Sequence, residues 1–310
     1  MKTHSKICRT SAALLIFSAA LTTWGVTTAF ASTPTSVIQA VGAENEYANV
    51  LSQIGGKYVK VSSVLNNPNT DPHTYEASTS VARAVSHAQL VVQNGVGYDG
   101  FMNNMESASP NVGRKVIVVQ QVLGLPDNTS NPHLWYNPTT MPAVAKAMAK
   151  DLGLLAPRHK AYFQTQLNTF LTSLKPWFNA IAAFKSAHPK TAVAVTEPVA
   201  DYLLEAMGMN IKTPFIFQAD IMNGVDPSPQ NITFEQNLLI KHQVRVFCYN
   251  QQVVSSFTSS IRTSATSAKV PVVGVYETMP TPGYNYQSWM LAETNAINLA
   301  VLHGTSTLHL

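Results

Sequence analysis

The sequence contains few charged residues and almost no cysteine. Asp, Glu, Lys and Arg together make up only 12% of the 310 residues, whereas 45% are hydrophobic. A chain with so little charge and so much apolar surface is not a solvated, disordered polymer, and it can bury a substantial core. Its length suits one large domain or two ordinary ones.

Cysteine occurs at only two positions. Cys8 precedes an apolar segment near the amino terminus, and Cys248 lies within the apolar run VRVFCYN. If the amino-terminal region is removed, one thiol remains and no internal disulfide can form. We interpret Cys248 as a buried strand residue rather than a metal ligand or a nucleophile.

A long, uninterrupted apolar run is also missing. The strongest candidate, SAALLIFSAALTTWGV, follows the basic start MKTHSKICRT and leads to Ala29-Phe30-Ala31. A basic start, an apolar middle and an A-x-A end are the three parts of a secretory signal peptide, which we predict over residues 1–31. The alternative is an uncleaved membrane anchor, but the segment is shorter and more polar than the roughly 20 apolar residues that span a bilayer. We therefore expect a soluble periplasmic protein.

The mature chain lacks an excess of charge of either sign. The formal net charge is +4, but the predicted signal peptide contributes Lys2, Lys6 and Arg9 and no acid. Without it, 17 basic residues face 16 acidic ones, so the net charge falls to +1. This balance gives no indication of a nucleic-acid or membrane-surface partner.

Strand and helix signals alternate along the rest of the chain, which predicts two α/β lobes, each a mostly parallel sheet flanked by helices. We place the N-terminal lobe at residues 32–155 and the C-terminal lobe at residues 189–310. Thr233 and Gln236 have the spacing of a capping box and predict a helix start before NLLIKHQ. The strand signals fall at residues 36–41, 58–64, 90–93, 115–120, 191–196, 244–250 and 270–276.

Residues 156–188 have helical periodicity and no flexible Gly/Ser-rich stretch. About thirty helical residues at ~1.5 Å each would reach roughly 45 Å, so we predict a long backbone helix that joins the lobes. Pro176 should kink or split this helix. Large hinge motion is less expected here than in two-lobed proteins joined by strands.

Two of the nine histidines stand in similar phrases, DPHTYE at 71–76 and NPHLWY at 131–136. Proline fixes its own φ and biases the preceding residue to extended geometry, so His73 and His133 are presented from constrained backbone. Such constraint favours metal ligation, and the neighbouring polar side chains suit the imidazole nitrogen not used by the metal. The spacing is also compatible with two ordinary loop histidines, because it is not a compact signature such as HExxH.

Both phrases belong to longer blocks that resemble a known family. The blocks DPHTYEASTSVARAVSHAQLVVQNGVGYDGFM and NPHLWYNPTTMPAVAKAMAKDL are similar to the two signature blocks of the zinc/manganese solute-binding proteins of bacterial ABC transporters, also called cluster A-I or family 9. The resemblance covers about residues 36–302. It implies two α/β lobes joined by a long backbone helix, with a metal ion held between them.

The resemblance implies four metal ligands, of which His73 and His133 are the first two. Glu197 stands at the third ligand position in VTEPVADYLLEAMG, and Tyr202 matches a tyrosine of the family. By itself, Glu197 could be an acid that interacts with a helix N-terminus. Glu277, in VPVVGVYETMP, stands where the family usually has Asp, and it could instead be a solvated loop carboxylate.

The chain departs from the family pattern in two places. Asn250 follows the strand signal VRVFCYN where the family often has glutamate, and residues 121–132 lack the histidine-rich loop of many dedicated zinc members. In the family, His-His-Glu-acid sets tend to accompany manganese and three-His sets zinc, so this set favours manganese. Zinc nevertheless stands above manganese in the Irving–Williams order, and we leave Mn²⁺ and Zn²⁺ both open.

The residues and the resemblance together predict the periplasmic metal-binding component of an ABC importer. It would capture one Mn²⁺ or Zn²⁺ ion between its lobes and deliver it to a membrane permease. We expect a monomer. We also expect no enzymatic activity, because four protein ligands leave no open coordination position for a substrate water. The alternatives are a metal-dependent hydrolase with Glu197 as general base, and a surface adhesin with a vestigial metal site.

Overall fold

The computed structural model describes residues 1–2, 4–5, 37–69 and 71–310. Apart from its first few residues, the predicted signal peptide at residues 1–31 lies outside the described residues and stays a prediction. Within the described ranges, no helix combines the length and the apolar character needed to cross a bilayer.

Four parallel strands form the sheet of the first lobe, in the spatial order β2-β1-β3-β4. Helices cover the sheet, so β1 and β3 are buried almost throughout. The strands are β1 (Ile38–Glu44), β2 (Val59–Leu65), β3 (Leu90–Gln93) and β4 (Lys115–Val118). The helices are α1 (Asn45–Gly55), α2 (Thr79–His87), α3 (Gly100–Ala108), α4 (Val119–Val122) and α5 (Thr140–Leu155).

The second lobe repeats this arrangement, with four parallel strands in the order β6-β5-β7-β8. In both sheets the carboxyl ends of all strands therefore lie along one edge, where α/β proteins place their ligand sites. The strands are β5 (Ala192–Val195), β6 (Asn210–Ile211), β7 (Val246–Asn250) and β8 (Val272–Val275). The helices are α8 (Asp201–Ala206), α9 (Phe215–Met222), α10 (Pro229–Ile240), α11 (Ser256–Ser267) and α12 (Tyr286–His303).

Two consecutive helices, α6 (Lys160–Ser173) and α7 (Lys175–Ala187), run between the lobes. The predicted backbone helix is thus split, as expected from Pro176, which lies in the first turn of α7. Proline is tolerated there because the first N–H groups of a helix have no intrahelical partner. The boundaries that we assigned to the lobes and the linking segment stay predictions.

The other sequence predictions agree with the structure except at a few places. The helix start at Thr233 is wrong, because α10 begins at Pro229 and Ser228 accepts a hydrogen bond from the Asn231 N–H. Serine followed by proline is the stronger start signal. The short elements β6 and α9 were not predicted. Cys248 is buried in β7, as predicted.

The two lobes share one apolar core that continues through the connecting helices and includes Trp135, Trp177 and Trp289. Hydrogen bonds outside this core also join the lobes. The side chain of Asn45 donates to the Met279 carbonyl at 2.9 Å and accepts from the Met279 N–H at 3.0 Å. The turn that follows β8 is therefore attached directly to the first lobe.

A buried carboxyl group lies at the same junction. Glu293 of α12 accepts a hydrogen bond from the Trp289 indole at 2.8 Å, and its Oε2 lies 2.7 Å from the Tyr136 hydroxyl. The same hydroxyl lies 2.8 Å from the Tyr276 carbonyl. A hydroxyl has one hydrogen, so a protonated Glu293 is needed to satisfy both contacts. Burial raises the pKa of Glu293 to about 8, which agrees with this arrangement.

We expect Glu293→Gln to leave the fold intact and to remove one source of pH dependence. The pKa of Glu293 is raised from 4.5 to about 8, so its stabilising effect is present below pH 4.5 and is lost as the pH rises through about 8. Glutamine stays neutral, donates to Tyr136 and accepts from Trp289. Between about pH 5.5 and about pH 8.5, the free energy of unfolding of the wild type should therefore fall by about 2–4 kcal/mol relative to that of Glu293→Gln, as measured by urea unfolding.

The comparison variant is Glu293→Ala, which leaves two polar groups unpaired and opens a cavity. It should lower the free energy of unfolding by about 2–4 kcal/mol. If the difference in the free energy of unfolding between the wild type and Glu293→Gln is the same at both pH values, Glu293 is not protonated in the folded protein.

Candidate metal centre

The ligating atoms of His73, His133 and Glu277 all lie within 4.8 Å of one another. Glu277 Oε2 lies 3.2 Å from His73 Nε2 and 3.3 Å from His133 Nε2. Both histidines follow strands of the first lobe, whereas Glu277 follows β8 of the second. The group therefore lies between the lobes.

His73 lies in a short 3₁₀ helix, Pro72–Thr74, whose first residue is the proline of the DPH phrase. Asp71 Oδ1 accepts a hydrogen bond from the His73 N–H at 2.8 Å and fixes the start of this turn. The His73 side chain is 29% exposed, so it is the ligand candidate that solvent reaches.

His133 is fully buried, and Asn131 sets its orientation. Asn131 Oδ1 lies 3.0 Å from the His133 N–H and 2.8 Å from His133 Nδ1. The Asn131 amide nitrogen donates to the Pro198 carbonyl at 2.8 Å, which fixes the direction of the amide. His133 Nδ1 therefore carries a hydrogen toward Asn131, and Nε2 is the nitrogen that faces Glu277, the arrangement that metal-binding histidines use.

Glu277 makes five polar contacts. Its N–H donates to Gln252 Oε1 at 2.7 Å, its Oε1 accepts from Asn250 Nδ2 at 2.7 Å, and its Oε2 accepts from the Tyr98 hydroxyl at 3.0 Å. The Nε2 atoms of His73 and His133 make the other two contacts, both with Oε2. Because only 1% of Glu277 is exposed, its interpretation as a solvated loop carboxylate is wrong.

Glu197 lies beside this group but is not one of the three residues whose atoms meet. Asn250 Nδ2 donates to Glu197 Oε1 at 3.1 Å and so joins it to Glu277. Among the described residues, Glu197 Oε2 is buried and has no hydrogen-bond partner, which is rare for a carboxylate oxygen. Glu197 precedes α8 and does not stand in its first turn, where Asp201 is the acidic residue. Its role as a ligand stays a prediction.

The imidazoles and carboxylates shift one another's pKa values. Burial alone would raise the pKa of Glu277, but hydrogen bonds with His133 and His73 lower it well below its usual range. Burial lowers the pKa of His133. Burial acts in the same direction on His73, but its hydrogen bond with Glu277 raises the pKa above the ordinary value. Burial and the charge of Glu277 raise the pKa of Glu197.

Sequence reasoning did not identify Tyr98 and Gln252 as parts of the site. Tyr98 follows the end of β3, and Gln252 follows the end of β7 by two residues. Their positions in the sequence could have identified both residues, because residues just after parallel strands collect at the carboxyl edge of the sheet. Tyr202, which matched a family tyrosine, donates its hydroxyl to the Asn131 carbonyl at 3.0 Å and supports the loop of His133.

None of the other histidines within the described ranges joins the group. His87 is exposed and contacts the Arg83 carbonyl, and His159 stacks on Tyr58. Both side chains therefore have contacts of their own outside the cluster.

Two parallel-sheet lobes with an imidazole and carboxylate cluster between them define the class of two-lobed metal-binding proteins. Residues 41–300 match the family model for the periplasmic zinc-uptake complex component A, ZnuA. The chain belongs to this family, which confirms the resemblance found in its signature blocks.

Individual proteins of known name are similar to the chain over different extents. The manganese-binding lipoprotein MntA of Bacillus subtilis (strain 168) is 27% identical over 174 residues, which cover 53% of this chain and 55% of that relative. The chain thus spans little more than half the length of this curated relative.

Two solved structures share the fold over nearly their whole length. A crystal structure of ZnuA has a TM-score of 0.69 at 21% identity and covers 84% of this chain and 98% of its own. The solute-binding protein FpvC of P. aeruginosa, solved with Ni²⁺, has a TM-score of 0.70 at 20% identity and covers 88% and 99%. Similarity at this level of identity shows the two-lobed α/β fold.

We expect Asn131→Ala to weaken metal binding by about 10- to 100-fold, because His133 loses the partner that fixes its tautomer and ring orientation. The dissociation constant for Zn²⁺ would be measured by competition with a chromophoric chelator. Asn111→Ala, at an exposed turn where Asn111 caps the Gly113 N–H, is the matched control and should bind as the wild type does. Unchanged affinity in Asn131→Ala would contradict the orienting role.

Proposed function

We propose that this protein is the metal-receptor component of a bacterial ABC importer. It captures a divalent transition metal ion between its two lobes and delivers the ion to a membrane permease. The observation that carries this proposal is the convergence of His73, His133 and Glu277 within 4.8 Å at the junction of the lobes. Membership of the zinc-uptake component family over residues 41–300 supports it.

The donor set suits such an ion. His73 and His133 supply two imidazole nitrogens, and Glu277 supplies a carboxylate oxygen, with Glu197 proposed as the fourth ligand. Zinc and manganese both accept mixed nitrogen and oxygen sites. Two carboxylates balance a charge of +2, which lowers the cost of holding the ion away from water.

The ion is cargo in this proposal rather than a resident cofactor. The protein acts as a periplasmic monomer, exported by the predicted signal peptide, and its partner is a permease. The family is one of transport components, so no enzymatic reaction is assigned. The hydrolase and adhesin alternatives receive no specific support from the contacts of the described residues.

We expect His73→Ala, His133→Ala and Glu277→Ala each to remove most of the bound metal from protein purified without chelators. In the wild type, excess Zn²⁺ or Mn²⁺ should stabilise the fold by roughly 2.7 kcal/mol at a hundred times the dissociation constant. Elemental analysis and thermal unfolding with and without metal measure both effects.

The matched controls for these variants are His87→Ala and His303→Ala, which remove imidazoles that lie outside the cluster. They should keep the wild-type metal content and the wild-type shift in melting temperature. Equal metal content in the site variants and the controls would exclude this site.

We expect metal affinity to fall as the pH falls. The pKa of His73 is raised by its hydrogen bond with Glu277, so a proton occupies His73 until the pH exceeds that raised value. An incoming ion must displace this proton, and affinity should fall by about tenfold per pH unit for each proton released. Chelator competition from about pH 8.5 to about pH 5.5 measures the slope. An affinity that is constant over this range would contradict ligation by His73.

A further inference from the structure

We propose that Asn250 is a positioning residue that limits the coordination number of the metal and thereby sets the preference between Zn²⁺ and Mn²⁺. This inference rests on the proposed function, because it concerns the ion held at the same site. It assigns a role to a side chain that is not itself a metal ligand.

The direction of the Asn250 amide is fixed by its surroundings. Asn250 is the last residue of β7 and is fully buried. Its Oδ1 accepts a hydrogen bond from the Gln252 N–H at 3.0 Å, and its own N–H donates to Thr196 Oγ1 at 3.0 Å. Turning the amide over would place Nδ2 against the Gln252 N–H and leave a donor facing a donor. The amide nitrogen must therefore point at the carboxylates.

Both hydrogens of this nitrogen are used on the two acids. Asn250 Nδ2 lies 3.1 Å from Glu197 Oε1 and 2.7 Å from Glu277 Oε1. Each carboxylate therefore has one oxygen engaged by the amide and one remaining. The other oxygen of Glu277 faces both histidines and accepts a hydrogen bond from the Tyr98 hydroxyl, and that of Glu197 has no hydrogen-bond partner among the described residues.

This arrangement allows each carboxylate to bind an ion through a single oxygen. With Glu197 as the proposed fourth ligand, two Oε2 atoms and two imidazole Nε2 atoms make four donors, the number that zinc adopts in protein sites. Manganese favours more oxygen donors, which a carboxylate supplies when it binds through both oxygens. Binding through both oxygens would draw Oε1 toward the ion, and the hydrogen bond from the Asn250 amide opposes this movement in both acids. The amide thus favours zinc, against the preference for manganese that two acidic ligands would give by themselves.

The test is the ratio of the affinities for the two ions. Dissociation constants for Zn²⁺ and Mn²⁺ are measured by chelator competition in the wild type and in Asn250→Ala. We expect the variant to shift the ratio toward Mn²⁺ by at least about tenfold, the size of effect that residues behind metal ligands have. X-ray absorption of the bound ion should show more oxygen neighbours in the variant than in the wild type.

The control is Gln252→Ala, which removes the acceptor of the Glu277 and Thr278 N–H groups. It should weaken the binding of both ions by the same factor and leave the ratio of their affinities unchanged. Asn250→Ser, which offers one hydrogen in place of two, should give an intermediate ratio and provides a second test if Asn250→Ala does not fold.

The outcomes separate this inference from the proposed function. If the Asn250 variants weaken both ions equally and the coordination number stays the same, Asn250 is only structural and the inference is overturned. If the wild type binds neither Zn²⁺ nor Mn²⁺, the proposed function itself fails.

Discussion

The site depends on the carboxylate of Glu277, which lies between two imidazoles that belong to the other lobe. Its Oε2 faces His73 and His133 at 3.2 and 3.3 Å. Burial strengthens these contacts, because little water competes for the oxygen. Each lobe alone would carry only part of the group, so the cluster forms only where the two lobes are packed against each other.

Packing of the lobes is therefore a condition for the site. The chain on both sides of Glu277 is fastened to the first lobe, at Tyr276 by the Tyr136 hydroxyl and at Met279 by Asn45. Beneath these hydrogen bonds, one apolar core continues through both sheets and the connecting helices. Separating the lobes would expose this core to water, which opposes the movement. The same packing that holds the fold thus positions the proposed ligands.

Most of the fold could be predicted because strands and helices buried in an α/β protein have characteristic apolar patterns. The pattern failed where it was too short or where local signals competed. The two residues of β6 are too few to carry a periodicity, and Ser228 with Pro229 starts α10 before the helix start predicted at Thr233. The long connection is two helices because Pro176 belongs in a first turn.

The sequence by itself determined which loops carry His73 and His133, because proline constrains the backbone locally, and its family resemblance singled out Glu197 and Glu277. Only the tertiary structure decided that Glu277 is buried between both imidazoles and that the side-chain amide of Asn250 joins Glu277 to Glu197. His133 and Glu277 are 144 positions apart in the chain. Hydrogen bonding and electrostatic energy depend on distance and burial, and these arise only when such distant segments pack together.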